Sequence, residues 1–291
     1  MNNGETRPRP AAPPADGLAP ERFPHTWRAP GAPRRTVAVG PVTVGGARVV
    51  VAAGPCAVEP NGSLAVTAER VRAAGAALLR GGAYKPRTSP YDFQGLGEEG
   101  LRLLAAAREA TGLPVVTEVL DPRDVPAVAA VADLLQIGSR SVQNFPLLRE
   151  AGQSGRPLLI KRGMMTTLAE WLGAAEYALA AGTPGVILCE RGIRTFEAAT
   201  RNTLDLSAVV LLRRICRWPV LVDPSHASGR AALVPDLAAA AVAAGADGLL
   251  VEVHVDPAAA WSDGRQTIDT DTFARLVPRC RAVARAVGRE L

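Results

Sequence analysis

No apolar run in the sequence is long enough to cross a lipid bilayer, because glycine, proline or a charged residue interrupts every run. The N-terminus also lacks the basic-then-apolar pattern of a secretory signal. No CxxC pair occurs among the widely spaced Cys56, Cys189, Cys216 and Cys280. Reduced, mostly buried thiols are therefore expected rather than a disulfide framework. Together these absences predict a cytoplasmic protein with no membrane partner.

Long basic runs are also missing, although the net charge is +5. A nucleic-acid ligand favours clustered Lys and Arg, and it would make binding strongly salt-dependent without any need for a divalent metal. Many of the basic residues between the two ends of the chain stand singly. This distribution predicts small anionic ligands and no nucleic acid.

Residues 1–35 are rich in Pro, Ala and Arg and show no apolar periodicity. This composition predicts a disordered arm, followed by one catalytic domain over residues 36–291. At the start of that domain, the segments TVAVGPV and TVGGARV predict a short N-terminal β-hairpin with a Gly-Gly turn.

Beyond the hairpin, eight short apolar runs rich in Val, Leu and Ile alternate with longer stretches of helical period. The runs span residues 49–55, 77–83, 114–120, 133–139, 157–163, 185–191, 219–225 and 248–254. Near-continuous apolar strands that are each followed by a helix predict an α/β fold with a parallel sheet. A doubly wound open sheet fits as well, but no Gly-rich dinucleotide fingerprint follows the first strand. A closed (β/α)8 barrel, the TIM barrel, is therefore favoured.

Polar residues collect at the ends of the predicted strands, where the active site of such a barrel lies. One group is cationic and consists of Lys85, Arg87, Arg140, Lys161, Arg162 and Arg191. Six cations exceed the charge of one phosphate and match two phosphates and a carboxylate. The KPRTSP loop adds the hydroxyls of Thr88 and Ser89, which suit a terminal phosphate.

A second group at these strand ends resembles a metal site and consists of Cys56, His226, Glu252 and Asp263. Thiolate, imidazole and two carboxylates form a mixed ligand set that suits Mn, Fe, Co, Zn or Cu. A buried cysteine taken alone is more often core filler, so the hypothesis depends on the four residues meeting at one barrel mouth. His254, next to this group, is expected either to support a ligand or to point the other way, because neighbours in a strand alternate.

These residues, in this order, resemble the type I beta group of 3-deoxy-D-arabino-heptulosonate 7-phosphate (DAHP) synthases. The resemblance covers roughly residues 36–285 and rests on GPCAVE, LRGGAYKPRTSPYDFQGLGEEGL, TEVLD, LQIGSR, KRGMMTT, ILCERGIRTFEAATRNTLDLSAV, VDPSHASGR and VEVHVDP with SDGRQTI. It implies a metal-dependent condensation of phosphoenolpyruvate with erythrose 4-phosphate, the first step of the shikimate pathway. The implied cofactor is a divalent ion (Mn, Fe, Co or Zn).

The resemblance also implies roles for individual residues. Cys56, His226, Glu252 and Asp263 match the metal ligands. Arg140, Lys161 and Arg191 match the phosphoenolpyruvate clamp, with Arg162 beside them. Lys85 and Arg87 match positions between the substrates, Arg87, Thr88 and Ser89 match the aldose phosphate site, and His226 and Asp263 also face the substrates. Glu118 matches a residue near the water that attacks the enol carbon, so Lys85, Cys56, His226 and Glu118 are expected to take part in the chemistry.

Three alternatives stay open at this point. The closest is 3-deoxy-D-manno-octulosonate 8-phosphate synthase, which takes arabinose 5-phosphate but whose loop reads KANRSS rather than KPRTSP. A synthase for a modified sugar is the second, since GSR and SHASG replace the usual GAR and SHSGG. The third is a non-catalytic barrel that partners chorismate mutase. No attached regulatory domain is expected. The protein is expected to form a homodimer or a homotetramer.

Overall fold

The structure is a computed structural model that describes residues 17–291. Its strands are β1 (Val37–Val39), β2 (Val42–Val44), β3 (Val50–Gly54), β4 (Leu78–Arg80), β5 (Val115–Glu118), β6 (Leu134–Ile137), β7 (Leu158–Lys161), β8 (Val186–Glu190), β9 (Val220–Val222) and β10 (Gly248–Glu252). Its α-helices are α1 (Ser63–Ala73), α2 (Glu98–Thr111), α3 (Val125–Val131), α4 (Phe145–Gln153), α5 (Leu168–Ala180), α6 (Leu206–Ile215), α7 (Pro224–Ser228), α8 (Val234–Ala243) and α9 (Thr270–Ala286). Short 3-10 turns cover Pro20–Arg22, Pro122–Asp124 and Ala231–Leu233.

Eight parallel strands, β3 to β10, close into a barrel, and this confirms the predicted (β/α)8 fold. Strands β3 to β9 pair in chain order, and β10 closes the barrel between β9 and β3. The closing pair is in register from Gly248 opposite Val50 to Glu252 opposite Gly54. An outer helix follows every barrel strand, and the extra short helix α7 lies between β9 and α8.

Each predicted apolar run contains one barrel strand, and every residue of these strands is buried. A strand that is covered by helices on its outer face and by the barrel interior on its inner face has no solvent side, so its sequence is apolar throughout. Within the described residues, no helix combines the length and apolarity that crossing a membrane would require.

The N-terminal hairpin forms, but its turn is not the predicted Gly-Gly pair. Val39 pairs with Val42, so the loop consists of Gly40 and Pro41. Gly40 has a φ of +55°, which the first position of a tight hairpin turn requires and glycine adopts without strain. Gly45 and Gly46 instead follow β2.

Residues 17–35 differ from the predicted disordered arm, whereas residues 1–16 lie outside the described residues. Phe23 is buried, and His25 O accepts a hydrogen bond from Trp218 Nε1 at 2.9 Å. Thr26 N donates to Glu176 Oε1 at 2.6 Å. The segment thus gains its order from a few anchoring contacts with the barrel, which leave no periodic pattern in the sequence.

Asp247 ties this segment to the N-terminal end of the barrel, directly before β10. Its fully buried carboxylate lies 2.6 Å from Arg34 Nη2, 2.7 Å from Arg213 Nη1 and 3.3 Å from Arg289 Nη2. It also accepts a hydrogen bond from Val220 N at 2.8 Å. One carboxylate therefore joins both ends of the described chain to the base of two barrel strands.

Candidate active site

A cavity of about 230 Å³ opens at the C-terminal ends of the barrel strands. Six cations line it, namely Lys85, Arg87, Arg140, Lys161, Arg191 and Arg201. Among residues 17–291, only three carboxylates line the same cavity, those of Asp92, Glu118 and Asp263. The site is therefore built for a ligand, or a pair of ligands, with several negative charges.

Cys56, His226, Glu252 and Asp263 converge at this mouth, as the sequence predicts. One ligand atom from each of the four lies within 4.8 Å of all the others. Cys56 Sγ lies 3.1 Å from Asp263 Oδ2, and His226 Nε2 lies 3.3 Å from Glu252 Oε1. The four elements that carry them are the β3 end, α7, the β10 end and the loop after β10.

This quartet fits a divalent transition metal by donor chemistry as well as by spacing. One sulfur, one imidazole nitrogen and two carboxylates match the mixed sites of such ions, whose donors lie about 2.0–2.3 Å from the metal. Burial lowers the pKa of His226, so the ring is neutral and able to ligate. Burial, followed by the charge of Glu252, raises the pKa of Cys56 to about 12, so an ion must displace the thiol proton.

Asp223 fixes the orientation of the His226 ring through two hydrogen-bond contacts. Its Oδ2 lies 2.7 Å from His226 Nδ1, and its Oδ1 accepts from the His226 backbone N–H at 2.8 Å. Lys161 Nζ donates to the same Oδ2 at 2.5 Å. With Nδ1 occupied in this way, Nε2 is the nitrogen that faces Glu252 and the quartet.

Arg80 and Gln266 fix the position of the Glu252 carboxylate, and neither is among the site residues predicted from the sequence. Arg80 Nη1 lies 3.2 Å from Glu252 Oε1 and 2.7 Å from Pro55 O, and Gln266 Nε2 donates to Glu252 Oε2 at 2.6 Å. A charge inside the apolar run ALLRGGA was the available signal for Arg80. Gln266, in the loop beyond β10, had none.

Lys85 bridges the quartet and the cavity. Its Nζ donates to Cys56 Sγ at 2.9 Å and to Cys56 O at 3.0 Å. Burial alone would lower the pKa of Lys85, but the interactions of its ammonium group with Cys56 and Glu118 outweigh burial and raise the pKa above its usual value. The ammonium therefore keeps its charge at neutral pH.

Glu118 reaches the cavity from the end of β5, across a glycine. Its Oε2 accepts a hydrogen bond from Gln136 Nε2 at 3.2 Å. A Cβ atom at Gly138 would lie 1.8 Å from Glu118 Oε1, so only glycine leaves room for this carboxylate.

The far end of the cavity carries the KPRTSP loop and Arg140. Arg87 Nη2 lies 3.5 Å from Asp92 Oδ2, and Arg140 Nη1 donates to Pro86 O at 3.3 Å. Thr88 lines the cavity, but Ser89 does not, and the Ser89 hydroxyl instead accepts from Tyr91 N at 3.2 Å. The structure thus brings two of the three predicted phosphate-loop residues to the site.

Arg162 does not reach the cavity, contrary to the prediction. It follows Lys161 at the end of β7, and successive side chains of an extended segment point to opposite sides. Its Nη1 instead lies 3.0 Å from Glu190 Oε2 and 2.9 Å from Asp205 Oδ2. The buried ion pair joins β8 and the start of α6 to β7.

Arg201 is the sixth cation of the cavity and is not among the site residues predicted from the sequence. It lies eleven residues beyond Glu190 in a long loop, where a search of strand ends cannot find it. Its Nη1 lies 3.2 Å from Asp263 Oδ1 and 2.8 Å from Gln266 Oε1. His254 points away from the quartet, as one of its two predicted orientations has it, and its Nε2 lies 3.4 Å from Glu59 Oε2.

Comparison with known sequences agrees with this geometry. The sequence profile of the DAHP synthetase I family matches residues 34–285. A phospho-2-dehydro-3-deoxyheptonate aldolase of Thermotoga maritima is 52% identical over 250 residues, which cover 86% of this chain and 74% of that one. A 2-dehydro-3-deoxyphosphooctonate aldolase of Geobacter sulfurreducens is 30% identical over 268 residues, which cover 86% and 97%.

Solved structures give the same result. The crystal structure of the Thermotoga maritima phospho-2-dehydro-3-deoxyheptonate aldolase superposes with a TM-score of 0.86 at 50% identity, over 89% of this chain and 76% of that one. A truncated form of 3-deoxy-D-arabino-heptulosonate 7-phosphate synthase from Thermotoga maritima also gives 0.86, at 45% identity, over 92% and 99%.

Proposed function

Because the chain belongs to the DAHP synthetase I family, we propose that it condenses phosphoenolpyruvate with erythrose 4-phosphate to give DAHP and inorganic phosphate. In this reaction the C3 carbon of phosphoenolpyruvate bonds to the aldehyde carbon of the sugar. Water then adds to C2, and cleavage of the C2–O bond releases the phosphate.

The observation that carries the proposal is a small cavity that six cations line and that adjoins the four-donor cluster, whose His226 and Asp263 belong to the cavity lining. The two substrates bring two phosphates and a carboxylate, and such anions repel one another in water. A cationic cavity offsets that repulsion and holds the reacting carbons close together, which supplies catalysis by proximity.

Lys161, Arg140 and Arg191 are the proposed clamp for phosphoenolpyruvate. They come from the ends of β7, β6 and β8, which are neighbours in the barrel, so their cationic heads converge on one side of the cavity. Arg87 and Thr88, on the loop after β4, suit the terminal phosphate of the sugar, and Lys85 lies between the two groups. Ser89 is not part of this phosphate site, because its hydroxyl accepts a hydrogen bond from Tyr91 N inside the loop.

Cys56, His226, Glu252 and Asp263 are the proposed ligands of a divalent ion, and Mn, Fe, Co and Zn all suit them. When bound, such an ion supplies Lewis-acid polarisation of the aldehyde oxygen. Lys85, whose raised pKa keeps it charged, is better suited to stabilise the developing alkoxide by its charge than to give up its proton. Glu118 lies where it can orient the attacking water.

The remaining parts of the proposal extend beyond the site. We expect residues 36–291 to act as one catalytic domain, in a cytoplasmic homodimer or homotetramer. A chorismate mutase partner would have to bind through a surface of this barrel.

Phosphate release with each candidate sugar tests the proposal. Chelated protein is assayed with phosphoenolpyruvate and erythrose 4-phosphate or arabinose 5-phosphate, with and without added Mn(II). Turnover that needs both the metal and the four-carbon sugar is expected. Cys56→Ala should abolish it, whereas Cys280→Ala, which removes another buried thiol in α9, should not.

Other outcomes would each contradict the proposal. Turnover with arabinose 5-phosphate alone would assign the chain to the activity named for its 2-dehydro-3-deoxyphosphooctonate relatives. No turnover with either sugar, in folded and metal-loaded protein, would leave a modified sugar or a non-catalytic role.

A further inference from the structure

Glu59 is a buried carboxylate that lies outside the cavity, three residues after Cys56. Only 2% of its surface is exposed. A charge in such a place is costly unless other groups hold it, so its contacts show what it contributes. None of the proposed substrate or metal roles includes it.

The contacts of Glu59 join the loops that bear the metal quartet. Its Oε1 accepts a hydrogen bond from the backbone N–H of Trp261 at 2.8 Å, two residues before Asp263. Its Oε2 accepts a hydrogen bond from Asn61 Nδ2 at 3.1 Å and also lies 3.4 Å from Nε2 of His254, two residues after Glu252. Because Glu59 itself follows Cys56, one carboxylate links the segments that carry three of the four donors.

The loop that Glu59 holds contains a residue in an unfavourable backbone conformation. Asp263 has a φ of +54°, and within residues 17–291 it is the only non-glycine residue with a positive φ. Such a conformation persists where surrounding contacts determine it. Asp263 O accepts from Thr267 Oγ1 at 3.0 Å on one side, and the bond between Glu59 and Trp261 fixes the chain on the other.

His254 fixes the start of the same loop. Its ring is 2% exposed, and its Nδ1 lies 2.7 Å from Asp256 O and 3.0 Å from Asp256 N. With Nε2 directed at Glu59, the ring spans the gap between the β3 loop and the β10 loop. Glu59, through Trp261, and His254, through Asp256, thus each hold a part of the loop that carries Asp263.

We propose that Glu59 is a positioning residue for the metal site, which sets the place of Asp263 by bonding to Trp261. The inference rests on the proposed function, because it concerns the ion that the quartet would bind. Groups behind metal ligands that fix their orientation typically contribute about 10–100-fold to metal affinity. Loss of the hydrogen bond between Glu59 and Trp261 is expected to weaken metal binding by that factor.

Titration of the whole protein with Co(II) tests this, since thiolate-to-cobalt charge transfer gives an absorption band that reports Cys56 in the complex. The variants are Glu59→Ala, Glu59→Asp and Glu59→Gln. The Asp side chain keeps the charge but is too short to reach Trp261 N–H, whereas Gln keeps the length and an acceptor oxygen. Glu176→Ala is the matched control, because Glu176 also accepts backbone N–H bonds, from His25 and Thr26.

Glu59→Ala and Glu59→Asp should bind Co(II) about 10–100-fold more weakly and shift the absorption band. Glu59→Gln should stay within about threefold of wild type, because it retains the bond to Trp261. Glu176→Ala should lower the thermal midpoint of the metal-free protein and leave Co(II) affinity unchanged.

The inference would be overturned if Glu59→Asp bound Co(II) with wild-type affinity and an unshifted absorption band. It would also be overturned if Glu176→Ala weakened Co(II) binding as much as the Glu59 variants do. If Glu59→Ala does not fold, the difference in Co(II) affinity between Glu59→Asp and Glu59→Gln still tests the inference. Absence of the band in wild type is a different result, because it would remove the metal site itself and this inference with it.

Discussion

Replacing Gly138 with alanine should displace the carboxylate of Glu118, which is proposed to act in catalysis, while leaving the barrel intact. The added Cβ would lie 1.8 Å from Glu118 Oε1, and ordinary contact begins at 3.4 Å, so the oxygen must retreat by about 1.6 Å. The obstacle is the end of a flexible side chain rather than backbone. The free energy of unfolding should therefore fall by only about 1 kcal/mol, the cost of an off-rotamer side chain.

Activity should fall much further than stability. A shift of this size breaks the bond from Gln136 Nε2 and moves the carboxylate away from the proposed water position. Misplacement of a catalytic group by about 1 Å can cost about 100-fold, so kcat/KM should drop by that factor, or about 2.7 kcal/mol. Steady-state phosphate release and thermal denaturation measure the two quantities on one preparation.

A double-mutant cycle distinguishes this mechanism from a general disturbance. In a Glu118→Ala background the clash is absent, so Gly138→Ala should cost little further activity. Gly173→Ala in α5 is the matched control, because nothing lies within 4 Å of its added Cβ. Wild-type kcat/KM in Gly138→Ala, or an undiminished loss in the Glu118→Ala background, would refute the reasoning.

Three further predictions follow from the ion pairs. Arg162→Met should lower the free energy of unfolding by about 3–5 kcal/mol, because it leaves Glu190 buried without its partner, yet leave both KM values near wild type in folded protein. Arg201→Ala should raise a substrate KM at least about tenfold with a smaller change in kcat, since it removes one cavity cation; unchanged KM values in kinetic assays would contradict it. Asp247→Asn should cost about 3 kcal/mol at neutral pH in urea denaturation. Burial would raise the pKa of Asp247, but the bond and charge of Arg34 outweigh it and lower that pKa, so this stability is lost as the pH falls below about 4. A gap between wild type and Asp247→Asn that persisted at lower pH would contradict the assignment.

The barrel could be predicted from the sequence because burial on both faces leaves each strand a continuous apolar run. The runs at 49–55 and 248–254, for example, contain β3 and β10, the two strands that close the barrel. The same rule placed Cys56 and Glu252 at strand ends, so their meeting at one mouth was expected. The helical stretches between runs were equally clear.

Features that depend on contacts between distant residues could not be predicted in this way. Arg162 and Lys161 are chain neighbours with the same charge. Their side chains point to opposite sides of the extended segment, and only the folded structure shows which of the two faces the cavity. Arg201 reaches the cavity from a loop, and a loop has no periodic sequence pattern from which its path could be predicted. The hairpin turn could be placed at Gly40 or at the pair Gly45 and Gly46, and only the observed pairing of Val39 with Val42 shows that it lies at Gly40.

The seam between β10 and β3 has a consequence for the order of events in folding. Cys56 follows the first barrel strand and Asp263 follows the last, so two donors 207 positions apart meet only when that seam closes. A partly synthesised chain therefore holds no complete site, and an ion that needs all four donors can bind only the finished barrel. Binding at 100 times Kd would add about 2.7 kcal/mol to the closed state. The ion proposed for the active site would then also stabilise the product of the last step of assembly.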